Sequence, residues 1–399
     1  MSQLPVLRLK KREERRLRAG HLWVYSNEVD VKATPLSGLE AGQQVRVESA
    51  PGRFMGQAYV NPNTLISARL FSARPEQLLD YPLIERRLRR ALALREKAFS
   101  KPFYRLVYGE SDALPGLVVD RFDQTLVVQI NTAGMEAVSE QVLAVLDEVI
   151  KPAAILLRND SPAREQEGLA CYVKPVKGDV PELIELEENG TRFRAPLASG
   201  QKTGWYFDHR QNRQRLMHYA KGMRVLDMFS YIGAWGVQAL AAGASEVVCS
   251  DTSTTFLEQA GDNAELNGCA DRFTGLAGDA FDVLKALREE NEKFDLVVLD
   301  PPAFIKRRKD FKEGAQAYQR LNRLAMQVVR EGGMLVSASC SHHMPAAQLL
   351  DEIRKAGQKK GHFVQVMEQG HQGPDHPIHP AMRETEYLKA WFCRVSSQD

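Results

Sequence analysis

Up to about residue 75, apolar and polar positions alternate in short runs interrupted by Gly and Pro: GQQVRVES, then PGRFMGQAYV, then TLISARLFS. Alternation puts every second side chain on one face of a strand, so these runs predict a small β-rich sheet or barrel. From about 76 to 184 the period changes. LIERRLRRALALREKAF carries Leu83, Leu88, Leu92 and Leu94 toward one side and Arg86, Arg87, Arg89 and Arg90 around the rest, the pattern of an amphipathic helix. GLVVDRF and TLVVQI read as strands, MEAVSEQVLAVLDEVI as a helix and AAILLRND as a strand, together an α+β module. From about 185 to 399, LIELEENGTRFRAP sets Asn189-Gly190, a favoured type I′ pair, between two strand-like runs and predicts a hairpin. After it, strand-like and helix-like runs take turns: RVLDMF, WGVQALAA, EVVCSDT, TTFLEQAGDNAELNG, FDLVVLD, YQRLNRLAMQVVR and GMLVSASC. That alternation predicts βαβ units, an α/β domain whose parallel sheet is covered on both faces.

Composition changes this picture little. Hydrophobic residues make up 44% and charged residues 26%, as in ordinary globular chains, and the net charge is only +2. Affinity for a polyanion must therefore come from local patches. Arg8 to Arg18 holds such a patch, seven basic residues against two acidic, Lys10, Lys11, Arg15 and Arg16 among them. No apolar run approaches the roughly 18 residues a membrane span needs, and the N-terminus lacks a secretory pattern. The five cysteines (171, 249, 269, 340 and 393) form no CxxC pair, which argues against a zinc knuckle and for a reducing, cytoplasmic setting.

The chemistry-bearing residues gather in the third region. VLDMFSYIGAWG sets Phe229, Ser230, Gly233 and Gly236 after a strand ending at Asp227. In open α/β sheets, ligands sit beyond the carboxyl ends of the strands. Asp251 ends the next strand, twenty-four residues on, where an acid takes two ribose hydroxyls. GLAGDAF puts Asp279 and Ala280 after a third strand, where a carboxylate can accept from an adenine amino group. An acid at the first strand end repels a diphosphate but suits a cationic amino group. This series resembles the S-adenosylmethionine methyltransferase fold, with S-adenosyl-L-methionine as the implied cofactor. LDPPAF closes the fourth strand with Asp300, and Pro301-Pro302 holds backbone carbonyls outward toward the edge of a flat base, with Phe304 beside it. SASCSHH then presents Cys340 past the apolar part of the following strand. A thiolate there can add to carbon 6 of cytosine and make carbon 5 nucleophilic. The alternative is a small buried filler, the common fate of free cysteines and the expectation for Cys249 and Cys393.

The set GQKTGWYFDHRQNR, VLDMFSYIGAWG, SDTS, LDPPAF, SASCSHH and HPAMRETEYLKAWF resembles the bacterial 23S rRNA cytosine-5 methyltransferase family along nearly the whole chain. The resemblance implies a PUA RNA-binding domain (residues 1–75), a central α+β domain (76–184) and a Rossmann-like methyltransferase domain (185–399). It also implies Cys340 as nucleophile, Asp300 as the group holding the ring, and large-subunit rRNA or its precursor particle as partner. Where many such enzymes have a second cysteine, this chain has Pro301-Pro302, so product release must use another base.

Other features stay open. Asp208 and Arg210 in WYFDHRQNR are either cofactor contacts or structural. IKRRKDFK, with Lys306 and Arg307, is either a solvated face or a grip on a phosphate beside the target. His371, His376 and His379 lack the accompanying pattern of a metal site, so no metal is expected. A homodimer is compatible with the sequence. Two competing functions remain, a guanine methyltransferase sharing the DPP motif and a non-catalytic RNA-binding assembly factor.

Overall fold

A computed structural model describes residues 4–359 and 361–397. The chain forms two compact units. One takes everything up to Ile184 together with Pro196–Phe207 and Pro374–Thr385; the other takes Glu185–Ala195, Asp208–Gly373 and the chain from Glu386.

The first unit contains two sheets. Val6–Arg8, Gln44–Glu48, Phe54–Val60, Ile66–Ser72 and Trp23–Tyr25 line up in that order, the first pair parallel and the others antiparallel. Alternate residues Val45, Val47, Ala58 and Val60 face one core, as the period of two requires. The second sheet runs Tyr172–Lys177, Ala154–Asn159, Thr125–Ile130, Leu117–Phe122, Phe103–Tyr108. Helices Tyr81–Ala98 and Ser139–Ile150 supply Leu83, Leu88, Val142 and Leu146 to its core, which Tyr59 and Phe71 of the first sheet also enter. The two N-terminal regions read from the sequence are thus bound by one shared core.

The Arg-rich helix corrects one expectation. Its buried line is Leu83, Ile84, Leu88, Ala91 and Arg95, and Leu94 is 45% exposed. Positions 84, 88, 91 and 95 follow the 3.6 period, whereas Leu94 is rotated off it by about 100°. Arg95 tolerates burial because both terminal nitrogens reach the Asp112 carboxylate, at 2.6 and 2.7 Å.

The second unit is built on a seven-stranded sheet. Across it stand Phe273–Ala277, Glu246–Asp251, Arg224–Met228, Phe294–Leu299, Val329–Ser339, Lys389–Ser397 and His362–His371, in chain order third, second, first, fourth, fifth, seventh, sixth. The first five are parallel to one another, and the seventh pairs antiparallel with both the fifth and the sixth. The sheet is therefore mixed rather than wholly parallel, because the chain returns from the sixth strand to insert the seventh beside the fifth. Helix Phe311–Val328 delivers Tyr318, Leu321, Ala325 and Val328 to the core on one face. The hairpin Leu183–Glu188 and Thr191–Pro196 turns at Asn189 and Gly190, both at positive φ (53° and 80°), as the Asn-Gly pair predicts.

Helix Ala234–Ala241 follows the first strand and packs tightly on the second. A Cβ on Gly236 would stand 2.6 Å from Cys249 Sγ and 2.8 Å from a Val247 methyl, so only glycine lets helix and strand approach this closely. Gly236→Ala is expected to lose about 1–3 kcal/mol of stability. Urea unfolding checks this, and an unchanged midpoint refutes the packing argument.

Candidate active site

The chain order of the sheet reverses between the first and fourth strands, so their connections leave on opposite faces and open a crevice at the carboxyl ends. Asp227 and Asp300 stand there.

Asp227 is fully buried beneath the loop that follows its strand. Its Oδ2 accepts from Gly236 N–H at 2.9 Å and lies 3.8 Å from Cys249 Sγ, while Oδ1 has no hydrogen-bond partner among the described residues. Burial first, then the nearby Asp300 and Asp251 charges, push its carboxyl up to about 8 against the single backbone hydrogen bond that lowers it. The loop above is strained, with Phe229, Tyr231 and Gly233 all at positive φ (63°, 51° and 80°). Its fastening explains how it stays so. Ser230 N–H donates to Ser250 O at 3.0 Å, and Tyr231 N–H to Asp251 Oδ2 at the same distance. Asp251 is half-buried and also accepts from Ser253 N–H at 3.1 Å. Asp279 is exposed and caps helix Ala280–Glu289 through Phe281 N–H at 2.9 Å, with Ala280 buried behind it.

Asp300 has a different environment. Its Oδ1 lies 3.1 Å from His209 Nε2, and its Oδ2 accepts from the Trp235 indole N–H at 3.0 Å. Burial pushes this carboxyl up, but the His209 imidazole and the Trp235 indole outweigh it and hold Asp300 below the usual carboxylate range. His209 is 2% exposed, packs its ring 5.1 Å from that of Trp235 and meets Asn212 Nδ2 at 3.1 Å through Nδ1. After Asp300 come buried Pro301, exposed Pro302 and half-buried Phe304, whose ring stands 4.8 Å from Tyr318.

Cys340 directly follows the fifth strand and is partly exposed, whereas Cys249 and Cys393 are fully buried. Burial pushes both of those thiols up, Cys393 to about 12. The residues flanking Cys340 are tied down on three sides. Ser339 Oγ shares a 2.8 Å hydrogen bond with the Tyr318 hydroxyl, Ser341 Oγ donates to Ile305 O at 2.6 Å, and Lys389 Nζ donates to Ser341 O at 2.6 Å. The Ile305 bond joins the Cys340 turn to the Asp300 loop.

The remaining sequence candidates divide. Asp208 is buried, with its Oδ2 accepting from Tyr387 Oη at 2.5 Å. Arg210 Nε lies 3.4 Å from Glu188 Oε2, the buried carboxylate that Arg213 also holds. The structure thus gives Arg210 a structural partner. Lys306 is exposed, and Arg307, also exposed, reaches Asp310 at 3.1 Å. In the N-terminal strip Lys10, Lys11 and Arg15 are exposed. Arg16 is half-exposed and already paired. It grips the buried Glu28 carboxylate with distances of 2.8 and 3.0 Å and covers the Tyr25 ring. Among the described residues no three His, Cys, Asp or Glu side chains could hold a metal ion, and no helix is long and apolar enough to cross a membrane. His209, Trp235, Tyr318 and Lys389 were not singled out in the sequence. Their positions beside Asp300 and Cys340 come from contacts distant in the chain, and only the placement of three of them inside the motifs WYFDHRQNR, VLDMFSYIGAWG and HPAMRETEYLKAWF hinted at a role.

Comparison with known proteins agrees with this geometry. Residues 164–390 match a family described as S-adenosylmethionine-dependent methyltransferase. The chain belongs to that family. Residues 7–73 match a PUA-like domain. Relatives from Yersinia pestis and Yersinia pseudotuberculosis, called ribosomal RNA large subunit methyltransferase I, are 34% identical over 97% of this chain and 98% of theirs. Among solved structures, a methyltransferase complexed with SAH superposes with a TM-score of 0.85 at 21% identity, covering 98% of this chain and all of that one. A SAM-dependent methyltransferase from Streptococcus mutans gives 0.84 with the same identity and coverage. The cofactor of this methyltransferase is S-adenosylmethionine, and the site fits it: a buried carboxylate oxygen without a partner, a strained loop and an acid at the second strand end.

The raised Asp227 carboxyl predicts a pH dependence. Because its folded value is about 8 against an ordinary 3.8, the folded protein binds this proton more tightly than the unfolded chain does. Its contribution is fully present below the ordinary value and is lost as pH rises through about 8. Stability of the cofactor-free methyltransferase should fall over that window, and Asp227→Asn should flatten the fall. Equilibrium unfolding at a series of pH values tests this; parallel curves for both proteins refute it.

Proposed function

We propose that the protein methylates carbon 5 of a cytosine in large-subunit rRNA through a covalent adduct to Cys340. The observation that carries this reading is the link between a partly exposed thiol and an acid-bearing loop: the turn holding Cys340 is hydrogen-bonded at 2.6 Å to the loop that begins at Asp300. The name of the 34% identical relatives supports large-subunit rRNA as the substrate.

The steps follow from the residues. The Cys340 thiolate adds to carbon 6 of the ring, and the pair of the 5,6 double bond moves toward carbon 5. Nitrogen 3 takes a proton from solvent as the charge reaches it, and Asp300, held toward its ionised form by His209 and Trp235, accepts from that N–H and from the exocyclic amine. S-adenosylmethionine supplies the methyl group that carbon 5 takes up. Solvent then takes the carbon 5 proton, its bonding pair re-forms the 5,6 double bond as the carbon–sulfur bond breaks to free the thiolate, and nitrogen 3 returns its proton to solvent. Asp227 Oδ1 would receive the cationic amino group of the cofactor, Asp251 its ribose hydroxyls and Asp279 its adenine amine. Phe229, Ser230, Gly233 and Ala280 would line the space between. Pro301, Pro302 and Phe304 would border the target base, which must leave its stack to reach the thiol. Lys306 and Arg307 would meet the neighbouring phosphates.

RNA containing 5-fluorocytosine at the target should trap the adduct, since no proton can leave carbon 5 after methylation. Cys340→Ala should yield neither adduct nor methylated product while S-adenosylmethionine still binds by calorimetry. Cys249→Ala and Cys393→Ala should keep the chemistry. Near-normal methylation by Cys340→Ala, read by nucleoside mass analysis, would move the reading to a transfer without a thiol adduct.

A second test concerns the N-terminal strip. Lys10, Lys11 and Arg15 are proposed to meet phosphates, binding without reading sequence. Replacing all three with Ala should lower the salt slope of RNA binding by about 0.7–0.9 for each phosphate that is no longer neutralised. Arg16→Ala should instead destabilise the fold, because it leaves Glu28 buried without its partner. An unchanged salt slope in the triple variant overturns the phosphate role.

A further inference from the structure

The seventh strand enters the sheet antiparallel to the fifth, with Lys389 paired opposite Ser339. An antiparallel strand starts where its neighbour ends, so Lys389 arrives beside the Cys340 turn at the carboxyl end of the sheet. Its side chain is buried, with the residue only 7% exposed. Its Nζ donates to the carbonyl of Ser341, the residue next to Cys340, which also accepts from Met344 N–H at 3.1 Å. Among the described residues it has no ion pair with a carboxylate. A buried ammonium without an anionic partner is costly, and a fold keeps one where an anion forms nearby.

We propose that Lys389 is the positioning residue of the nucleophile: its ammonium faces Cys340 and stabilises the thiolate that attacks the base. This rests on the reading of Cys340 as nucleophile and adds how that thiol is made reactive near neutral pH. Burial lowers the Lys389 ammonium to about 8 against the opposing pull of Cys340 first and then of exposed Glu386. Two further groups stand around the turn. Tyr318 is a phenol that burial keeps protonated and bound to Ser339, and the His342 ring packs 5.4 Å from that of Tyr387. The thiolate and the ammonium form by transfer of the thiol proton to solvent or to neutral Lys389, so no further reactant is required. As the thiolate is consumed by addition to carbon 6, the charge it loses moves into the ring, where the proton taken up at nitrogen 3 neutralises it. Lys389 therefore acts on the step that prepares the nucleophile, and the Ser341 hydrogen bond fixes the distance over which it acts.

A bland alternative is that Lys389 is only a strap for the Ser341 carbonyl. The two roles separate in the pH profile of Cys340 alkylation by iodoacetamide, read on the Cys340 peptide by mass spectrometry in the full-length protein across about pH 6 to 10. Lys389→Gln keeps a donor for Ser341 but no charge, Lys389→Arg keeps the charge, and Lys389→Met keeps neither. The proposal expects Gln and Met to raise the midpoint by about one pH unit or more, as the loss of a nearby opposite charge does, and Arg to restore it. Should Met fail to fold, by circular dichroism, the comparison of Gln with Arg still decides. A wild-type midpoint in Lys389→Gln overturns the proposal and leaves the strap. The outcome is independent of methyl transfer, so it is distinct from a Cys340→Ala enzyme that remains active, which would overturn the nucleophile reading instead.

Discussion

Everything at this site depends on the parallel pairing of Arg224–Met228 with Phe294–Leu299, which sets Asp227 opposite Val298 and Met228 opposite Leu299. These neighbours are first and fourth in the chain, so the connections that follow them must leave on opposite faces of the sheet. No helix can then cover the gap between their carboxyl ends. The strand ends become the floor of a crevice, and the acids at those ends become its chemistry. Even the antiparallel insertion of the seventh strand serves this arrangement, because it brings the start of a strand rather than its end to the same edge.

Concentrating carboxylates in such a floor has an electrostatic cost that the fold distributes unevenly. Asp227, with one backbone N–H and two acidic neighbours, is pushed toward its neutral form. Asp300, half-buried beside an imidazole and an indole N–H, is pulled toward its ionised form. Environments that drive two similar groups apart assign them different tasks. Under the proposed function the neutral-leaning acid would gain from the arrival of a cationic ligand, and the ionised one would accept hydrogen bonds from a base.

The sequence carried the parts of this that are local. Strand-end acids, the Asn189-Gly190 turn and the placing of Cys340 past the apolar part of its strand are each written within a few residues, and the structure has these strand ends and this turn where the patterns put them. What was not legible lies in contacts between distant segments. Leu94 and Arg95 differ by one step around a helix, and Asp112 together with the carbonyls of Arg105 and Asp375 makes burial of the arginine acceptable. Arg16 looked like its basic neighbours until Glu28 claimed it. The edge strand His362–His371 exposes Phe363, Val366 and Met367, so it shows no clean alternation, and its bulge between Val366 and Glu368 breaks what period there is. His209 and Trp235 reach Asp300 across 91 and 65 residues of chain, and no spacing rule anticipates them.

The contrast between Cys249 and Cys340 shows how little separates a packing thiol from one that can react. Both belong to the parallel sheet near its carboxyl edge. Cys249 sits inside its strand, two residues before the end, opposite Asp227. There burial first and then the Asp227 carboxylate disfavour a thiolate and raise the thiol well beyond its ordinary value. Cys340 stands one residue past its strand, where the backbone has left the ladder and the side chain is partly open. Its neighbours hydrogen-bond to a tyrosine, a backbone carbonyl and a lysine instead of to an acid. Moving a cysteine by a few positions along such a strand therefore exchanges a negative, dry setting for a positive, accessible one. Reactivity here is a property of register and strand length before it is a property of the thiol.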